Sequence, residues 1–315
     1  MTPITYTVES IEVPSTDGIH TLRGVVYIPS CNIPKGILQI THGMAEHIDR
    51  YADFMASAAC AGFVVCGHDH LGHGKTAENE DELGFFAEKD GWRILTKDIH
   101  AFGEAVSENY IGIPHFLLGH SMGSFLARAA VALYPGAFDA LVIMGTGGPN
   151  ALSTTGLMLT AAIRRSKGDK YVSKLTHTLT FGSYNKRTGS RDPFAWLTCD
   201  EELRQKHNQD PLCLFPFTVS AMNDLIAVQK AVNQKSWFAS VKKDLPILIV
   251  SGEEDPVGNY GKGVKAVYDG LIDAGCTNIS LKLYPYMRHD PFRIPGRNNQ
   301  ARAQTTVKPK RLTHR

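Results

Sequence analysis

Short apolar runs that alternate with helical patterns are the feature that most limits how this chain can fold. Five such runs lie at residues 36–41, 62–66, 115–118, 141–144 and 246–250. Their length and lack of polar alternation are typical of strands buried on both faces. Amphipathic stretches that are long enough for helices lie at residues 51–61, 92–108, 122–134 and 261–274. Because strands that alternate with helices require crossover connections, the chain is predicted to be α/β, with a mainly parallel sheet covered by helices on both faces.

The two ends of the chain depart from this alternation of strands and helices. Near the start, two alternating stretches flank Asp17-Gly18, which predicts an antiparallel hairpin over residues 5–27. Residues 279–283 predict a last strand. After residue 290 the chain contains seven Lys or Arg, three Pro and no Asp or Glu. Residues 291–315 are therefore predicted to form a basic, disordered tail.

Residues 149–240 contain many helix formers and charges but no buried strand run. Amphipathic patterns at residues 156–165 and 219–231 predict helices here. We expect this stretch, called the inserted segment below, to form a helical lid between the two parts of a core made of residues 1–148 and 241–290. Such a lid would cover the carboxyl edge of the sheet, where open α/β folds bind their ligands.

The sharpest chemical signal is Gly-His-Ser-Met-Gly at residues 119–123, directly after a predicted strand and directly before a predicted helix. A serine at so tight a turn has a strained backbone, and the small residues Gly119 and Gly123 avoid a collision around it. The turn exposes the hydroxyl of Ser121 and brings the N–H of Met122 to a helix start, where it can stabilise negative charge. Ser121 is the predicted nucleophile, and Met122 is a predicted oxyanion-hole donor.

A serine hydroxyl needs a base to take its proton, and the base needs a carboxylate to orient it. After a serine turn of this kind, the acid comes before the histidine in the chain. Asp255 follows the strand predicted at 246–250, and His289 follows the strand predicted at 279–283. Asp255 is preferred to the two glutamates before it because it lies further into the turn, next to a proline that stiffens the loop. Asp255 and His289 are therefore predicted to complete a triad with Ser121.

The second oxyanion donor is expected from the loop after the strand at 36–41. This loop contains Gly43, which permits a close approach of the backbone, followed by Met44. The N–H of Met44 is the predicted second donor.

Five segments span residues 42–289 in a characteristic order. They are His-Gly-Met-Ala-Glu-His at 42–47, Asp-His-Leu-Gly-His-Gly at 69–74, Gly-His-Ser-Met-Gly at 119–123, Gly-Glu-Glu-Asp-Pro-Val-Gly at 252–258 and Met-Arg-His at 287–289. Together they resemble the α/β-hydrolases of the monoacylglycerol lipase and lysophospholipase-like branch of the serine aminopeptidase S33 superfamily. The resemblance implies an α/β-hydrolase fold, the triad and oxyanion donors named above, and a lid that admits an acyl chain. It ends near His289, because the family continues with a closing helix and this chain continues with the basic tail.

The resemblance implies a serine hydrolase that cleaves carboxylic esters through an acyl-enzyme, without a cofactor or a catalytic metal. Monoacylglycerols, lysophospholipids or similar acyl esters are the expected substrates. An S33-type aminopeptidase stays open as an alternative, with Glu46, Asp49 or Glu254 as an acidic anchor for a substrate ammonium. A catalytically impaired ligand-binding relative is a second alternative. Five histidines between residues 42 and 73 also resemble a zinc-hydrolase run, but Gly72 occupies the position of the expected acid.

Composition limits the partners. The chain has 33 Lys and Arg against 31 Asp and Glu, and no basic cluster lies outside the tail, so no nucleic-acid partner is expected. The six cysteines lack a CxxC pair, which predicts reduced thiols. With no evident signal peptide, we expect a cytoplasmic protein that acts on a small-molecule ester. Contact of the lid with lipid or a membrane and the oligomeric state are left open.

Overall fold

A computed structural model of the chain describes residues 4–290 and 307–309. The strands are β1 Tyr6–Pro14, β2 Thr21–Pro29, β3 Ile37–Thr41, β4 Val64–His68, β5 His115–His120, β6 Ala140–Met144, β7 Ile247–Gly252, β8 Ile279–Tyr284 and β9 Val307–Pro309. They form one sheet in the order β8-β7-β6-β5-β3-β4-β2-β1-β9. Strands β3 to β8 pair in parallel, which agrees with the predicted sheet.

The hairpin and the six predicted strands are confirmed. Strands β1 and β2 pair antiparallel in the register Tyr6 to Pro29, and β2 also pairs antiparallel with β4. Gly18 lies in the hairpin turn with a φ of 76°, a conformation that glycine adopts without strain. The boundaries of strands β3 to β8 differ from the predicted ranges by two residues at most.

Four core helices cover the sheet: α1 Ala52–Cys60, α2 Gly91–Ser107, α3 Met122–Leu133 and α9 Lys262–Asp273. Phe102, Leu126 and Val267, from α2, α3 and α9, belong to one hydrophobic core cluster. Met55 of α1 belongs to a second cluster with Val250 of β7. Leu248 shares a sheet face with Val250 and is 39% exposed, so within the described residues α1 covers only part of this face.

The inserted segment is helical and lies between β6 and β7. Its helices are α4 Ser153–Lys167, α5 Lys174–Phe181, α6 Glu201–Gln209, α7 Val219–Ala231 and α8 Lys235–Ser240. Both predicted amphipathic stretches lie in helices, the first within α4 and the second as α7. None of the helices in the described part of the chain has the length and apolarity to cross a bilayer. Except for β9, which pairs with β1, the tail predicted to be disordered lies outside the described residues.

A buried arginine connects the chain just before the inserted segment to the end of α7 within it. The side chain of Arg128, in α3, is fully buried and donates hydrogen bonds to the carbonyl oxygens of Gly147 and Val232 and to Oδ1 of Asn233. Its guanidinium also lies 4.5 Å from the ring centre of Trp237. Burial lowers the pKa of Arg128 to about 9. The arginine thus satisfies backbone acceptors just before the segment and directly after α7.

Replacing Arg128 with alanine should lower the free energy of unfolding by about 3 kcal/mol, because several buried acceptors lose a charged donor at once. Urea denaturation followed by circular dichroism measures this change. Arg165→Ala is the matched control, since Arg165 is exposed on α4, and it should change stability by less than about 0.5 kcal/mol. Equal midpoints for the two variants would contradict the role of Arg128.

Candidate active site

The predicted nucleophile lies on a strained turn between β5 and α3. Ser121 has φ 53° and ψ −121°, a left-handed conformation that side-chain-bearing residues rarely adopt. A Cβ on Gly119 would lie 2.3 Å from the carbonyl oxygen of Gly123, and a Cβ on Gly123 would lie 2.1 Å from the carbonyl oxygen of Thr41. Both glycines are therefore required by the close approach of the backbone, as the sequence predicts.

The three residues predicted as a triad lie in hydrogen-bond contact. Nε2 of His289 is 2.8 Å from Oγ of Ser121. Nδ1 of His289 is 3.0 Å from each carboxylate oxygen of Asp255. Asp255 is fully buried and His289 is 1% exposed. An ionised carboxylate only accepts hydrogen bonds, so Nδ1 donates to Asp255 and Nε2 is left to accept from the serine hydroxyl.

Two further donors fix the carboxylate of Asp255. The hydroxyl of Ser251 donates to Oδ2 at 3.2 Å, and the backbone N–H of Val257 donates to Oδ1 at 2.8 Å. Both donors belong to the strand and turn that carry Asp255, so the carboxylate is held by its own loop. A carboxylate held in this way restrains the ring of His289 to one tautomer and orientation.

The loop that carries His289 is held by the inserted segment. The backbone N–H of Asp290 donates to the carbonyl oxygen of Leu197 at 2.7 Å, and that of His289 makes a long contact of 3.5 Å to the carbonyl oxygen of Trp196. The rings of Trp196 and His289 lie 5.2 Å apart. The sequence contains no signal for these contacts, through which the inserted segment supports the base.

A buried polar network that sequence reasoning missed lies beneath the nucleophile. Nδ1 of His120 is 2.9 Å from the hydroxyl of Tyr51 and 3.3 Å from Oε1 of Glu46. Oε1 of Glu46 also accepts hydrogen bonds from the hydroxyl of Tyr51 and the backbone N–H of Gly43, and Arg50 pairs with Oε2. Although burial raises it, the pKa of Glu46 is held well below its usual value by Arg50 and His120.

This network connects the oxyanion loop to the histidine loop. Nε2 of His120 donates to the carbonyl oxygen of His289 at 3.1 Å. Burial lowers the pKa of His120, but the hydrogen bond to Glu46 outweighs it, and the net shift is upward. In the sequence, Glu46 and His120 stand out only because they lie in the motifs that contain Met44 and Ser121. Nothing in the sequence indicates that their side chains contact each other.

The two predicted oxyanion donors flank Ser121. Helix α3 begins at Met122, and a Cβ on Gly43, the residue before Met44, would lie 3.0 Å from Cβ of Ser121. Both methionines line the same cavity as the serine. Within residues 4–290 neither backbone N–H has a hydrogen-bond acceptor, so both are available to an incoming oxygen.

A cavity of about 1160 Å³ opens over Ser121 and His289. Much of its wall comes from the inserted segment and is apolar. The apolar lining residues include Phe125, Phe181, Phe194, Trp196, Leu197, Leu214, Phe215, Leu225, Ile226 and Val257. A cavity of this size, with polar groups converging at one point, is typical of a small-molecule site.

The large apolar residues of the inserted segment differ in whether they line this cavity. Leu214 and Phe215 line the cavity. Phe217 and Met222 are fully buried in the core, and Met158 is 69% exposed. Helical periodicity reveals that one face is buried but not what it is buried against.

The acids considered as anchors for a substrate ammonium are all engaged elsewhere. Glu46 pairs with Arg50. Lys75 Nζ lies 2.6 Å from the carboxylate of Asp49, and Glu254 lies 3.6 Å from Arg288. The geometry therefore does not favour an aminopeptidase.

The histidines that resemble a zinc-hydrolase run do not form a metal site together. His42, His68, His70 and His73 are buried in the core, with ring centres 4.3 Å apart for His42 and His70 and 5.2 Å apart for His68 and His70. In the described part of the chain, the residues close enough to hold an ion are His47, Asp210 and Cys213. Of the run, only His47 belongs to that group.

Comparisons with known proteins agree with this geometry. The family model described as serine aminopeptidase, S33, matches residues 32–293. A monoacylglycerol lipase of Mycolicibacterium smegmatis is 26% identical over 90% of this chain and 94% of its own length. The crystal structure of a thermostable carboxyl esterase from Bacillus coagulans, in complex with glycerol, has a TM-score of 0.84 and 29% identity over 90% of this chain and 91% of that one. A lipase in an open form has a TM-score of 0.82 and 28% identity, covering 90% and 93% of the two chains.

Proposed function

The chain belongs to the serine aminopeptidase S33 family and has the α/β-hydrolase fold, and we propose that this carboxylic ester hydrolase acts through an acyl-enzyme on Ser121. The observation that carries the proposal is the 2.8 Å contact between Oγ of Ser121 and Nε2 of His289. The same ring is held from its other side by Asp255. This contact also weighs against a catalytically impaired relative, because a displaced base could not take the serine proton.

Acylation begins when Ser121 attacks the ester carbonyl carbon. His289 accepts the hydroxyl proton on Nε2, and Asp255 stabilises the resulting imidazolium. The carbonyl oxygen becomes an oxyanion, which accepts hydrogen bonds from the N–H groups of Met44 and Met122. His289 then returns the proton to the alcohol oxygen as the ester bond breaks, and the alcohol leaves.

Deacylation repeats these steps with water as the nucleophile. His289 takes a proton from water, the hydroxide attacks the acyl carbon, and the same two N–H groups stabilise the second oxyanion. The proton passes to Oγ of Ser121 and the acid is released. All proton transfers use one imidazole, so no cofactor is required.

The substrate proposed is a monoacylglycerol, a lysophospholipid or a similar acyl ester. The cavity of about 1160 Å³ supports this, because its volume and apolar wall suit an acyl chain that ends at the serine. The names of two relatives, a monoacylglycerol lipase and a carboxyl esterase, also refer to ester hydrolysis. We retain a cytoplasmic location as a prediction.

Contact of the lid with lipid is part of the proposal. Four large apolar side chains of the inserted segment are more than half exposed: Leu152 at 71%, Met158 at 69%, Leu179 at 66% and Leu175 at 54%. Leu152 and Met158 lie at or within α4, and the two others lie in α5. Apolar groups exposed next to a substrate cavity are suited to meet an aggregated lipid.

A graded substrate series tests the proposal. We expect p-nitrophenyl esters to be hydrolysed with a kcat/KM that rises by up to about fourfold for each added methylene until the cavity is filled. Monoacylglycerol and lysophosphatidylcholine, assayed beside them, distinguish the two head groups. An aminoacyl p-nitroanilide provides the peptidase comparison. Faster turnover of that amide than of every ester would overturn the ester assignment.

A further inference from the structure

A second cluster of reactive side chains lies beside the active site. It contains His47, from the loop after β3, and Asp210 and Cys213, from a 3-10 turn of the inserted segment. One ligand atom from each residue lies within 4.8 Å of the other two. Nε2 of His47 is 2.7 Å from Oδ2 of Asp210. Residue spacing does not predict this cluster, because 163 residues separate His47 from Asp210.

The three donor atoms are an imidazole nitrogen, a carboxylate oxygen and a sulfur. This set suits Zn²⁺, which binds cysteine, histidine and carboxylate in tetrahedral sites. Calcium and magnesium prefer sites made of oxygen alone. His47 is 8% exposed and Cys213 is 2% exposed, so the donors are shielded from bulk water, and the partly exposed Asp210 leaves an open side for a water ligand.

Local backbone structure fixes two of the donors without the metal. Oδ1 of Asp210 accepts a hydrogen bond from the N–H of Leu212 at 2.9 Å, which leaves Oδ2 directed at His47. The N–H of Cys213 donates to the carbonyl oxygen of Asp210 at 2.9 Å, and Pro211 stiffens the turn between them. The donors are thus arranged in advance, which reduces the cost of ordering them around an ion.

The charges around the cluster also match a divalent cation. Arg50 and Glu46 lie nearby and pair with each other, so their charges cancel. A bound divalent metal deprotonates a coordinating thiol. The Cys213 thiolate and the Asp210 carboxylate then balance the two positive charges of the ion.

We propose that His47, Asp210 and Cys213 form a Zn²⁺ site that fastens the inserted segment to the oxyanion loop. Zinc binding releases the thiol proton of Cys213 to solvent, and the neutral imidazole of His47 keeps its single proton on Nδ1. His47 is three residues from Met44, and Leu214, the neighbour of Cys213, lines the substrate cavity. Bound zinc therefore fixes one wall of that cavity. The site itself does not depend on the proposed ester hydrolysis.

Metal titration of the full chain tests the site. Protein stripped with a chelator is titrated with ZnCl₂ by calorimetry, and bound zinc is counted by mass spectrometry after gel filtration. We expect one Zn²⁺ per chain and a higher melting temperature. Cobalt(II) replaces zinc as a spectroscopic probe and should give a thiolate-to-cobalt charge-transfer band.

Cys213→Ser should abolish this band and weaken zinc binding by about two orders of magnitude or more, since one of three protein ligands is lost. Cys199→Ser is the matched control, because Cys199 is an exposed cysteine, and it should bind zinc like the unaltered protein. If Cys213→Ser does not fold, the cobalt spectrum of the unaltered chain tests whether Cys213 binds the metal. Absence of that band, or zinc binding by Cys213→Ser equal to that of the control, would overturn the proposal.

Discussion

The Ser121→Ala variant is expected to lose about five orders of magnitude in kcat for ester hydrolysis while it keeps its fold. The serine oxygen is the proposed nucleophile, and it lies 2.8 Å from Nε2 of His289. What remains is the binding and oxyanion stabilisation by Met44 and Met122, which accelerate direct attack by water only weakly. Alanine fits the turn as well as serine does, so stability should change by less than about 1 kcal/mol.

Initial rates with a p-nitrophenyl ester, together with thermal melting, measure both parts of this prediction. Ser124→Ala is a suitable control: its hydroxyl lies one helical turn away and donates to the carbonyl oxygen of Ser121 at 2.6 Å, so it takes no part in proton transfer. We expect that variant to remain within about tenfold of the unaltered enzyme. Ester turnover by Ser121→Ala above about one per cent of the normal rate would refute the assigned nucleophile.

A large loss of stability is expected on acidification below pH 6.5, because several histidines are buried in neutral form. Burial lowers the pKa of His68 and of His73 to about 3 and that of His115 to about 4. In the unfolded chain each pKa is about 6.5. The unfolded state therefore binds more protons, and stability that is complete above pH 6.5 is lost as the pH falls towards the folded values. At pH 5 each of these three histidines should lower the free energy of unfolding by about 2 kcal/mol.

His68 provides the clearest test of this effect. Neither ring nitrogen of His68 has a hydrogen-bond partner among the described residues, and its ring lies 4.6 Å from that of Phe102. Phenylalanine at this position should remove both unsatisfied nitrogens and the titration. Urea unfolding at pH 7.5 and pH 5 should show that His68→Phe loses about 2 kcal/mol less than the unaltered protein.

Groups whose pKa is raised in the folded protein act in the opposite direction. They include His120 and Asp224, whose pKa burial raises to about 6. Equal stability of the unaltered protein at both pH values would show that the buried histidines do not control acid unfolding.

The fold was accessible from the sequence because parallel strands buried on both faces leave unbroken apolar runs. The serine turn was accessible for a second reason: only glycine tolerates the contacts around Ser121, so Gly119 and Gly123 mark the turn. Asp255 and His289 could be chosen by chain order, since parallel strands bring their carboxyl ends to one edge. These signals are local or depend on topology alone.

Contacts between distant loops could not be read in this way. The hydrogen bond from Asp290 to Leu197 and the contact between His120 and Glu46 depend on how the inserted segment and the loops pack, and no residue spacing encodes either one. Hydrophobic character likewise does not distinguish Phe215, which lines the cavity, from Phe217, which is buried in the core. The sequence therefore predicts which residues react better than it predicts what holds them in position.

Covalent labelling shows whether Ser121 is an activated nucleophile. The folded protein is incubated with a fluorophosphonate, which reacts with an activated serine, and the product is analysed by intact mass and peptide mapping. We expect one adduct per chain, on Ser121, and a strong reduction in its rate of formation in His289→Ala, which lacks the base. No adduct on folded protein, or an adduct on a different residue with Ser121 unmodified, would contradict it.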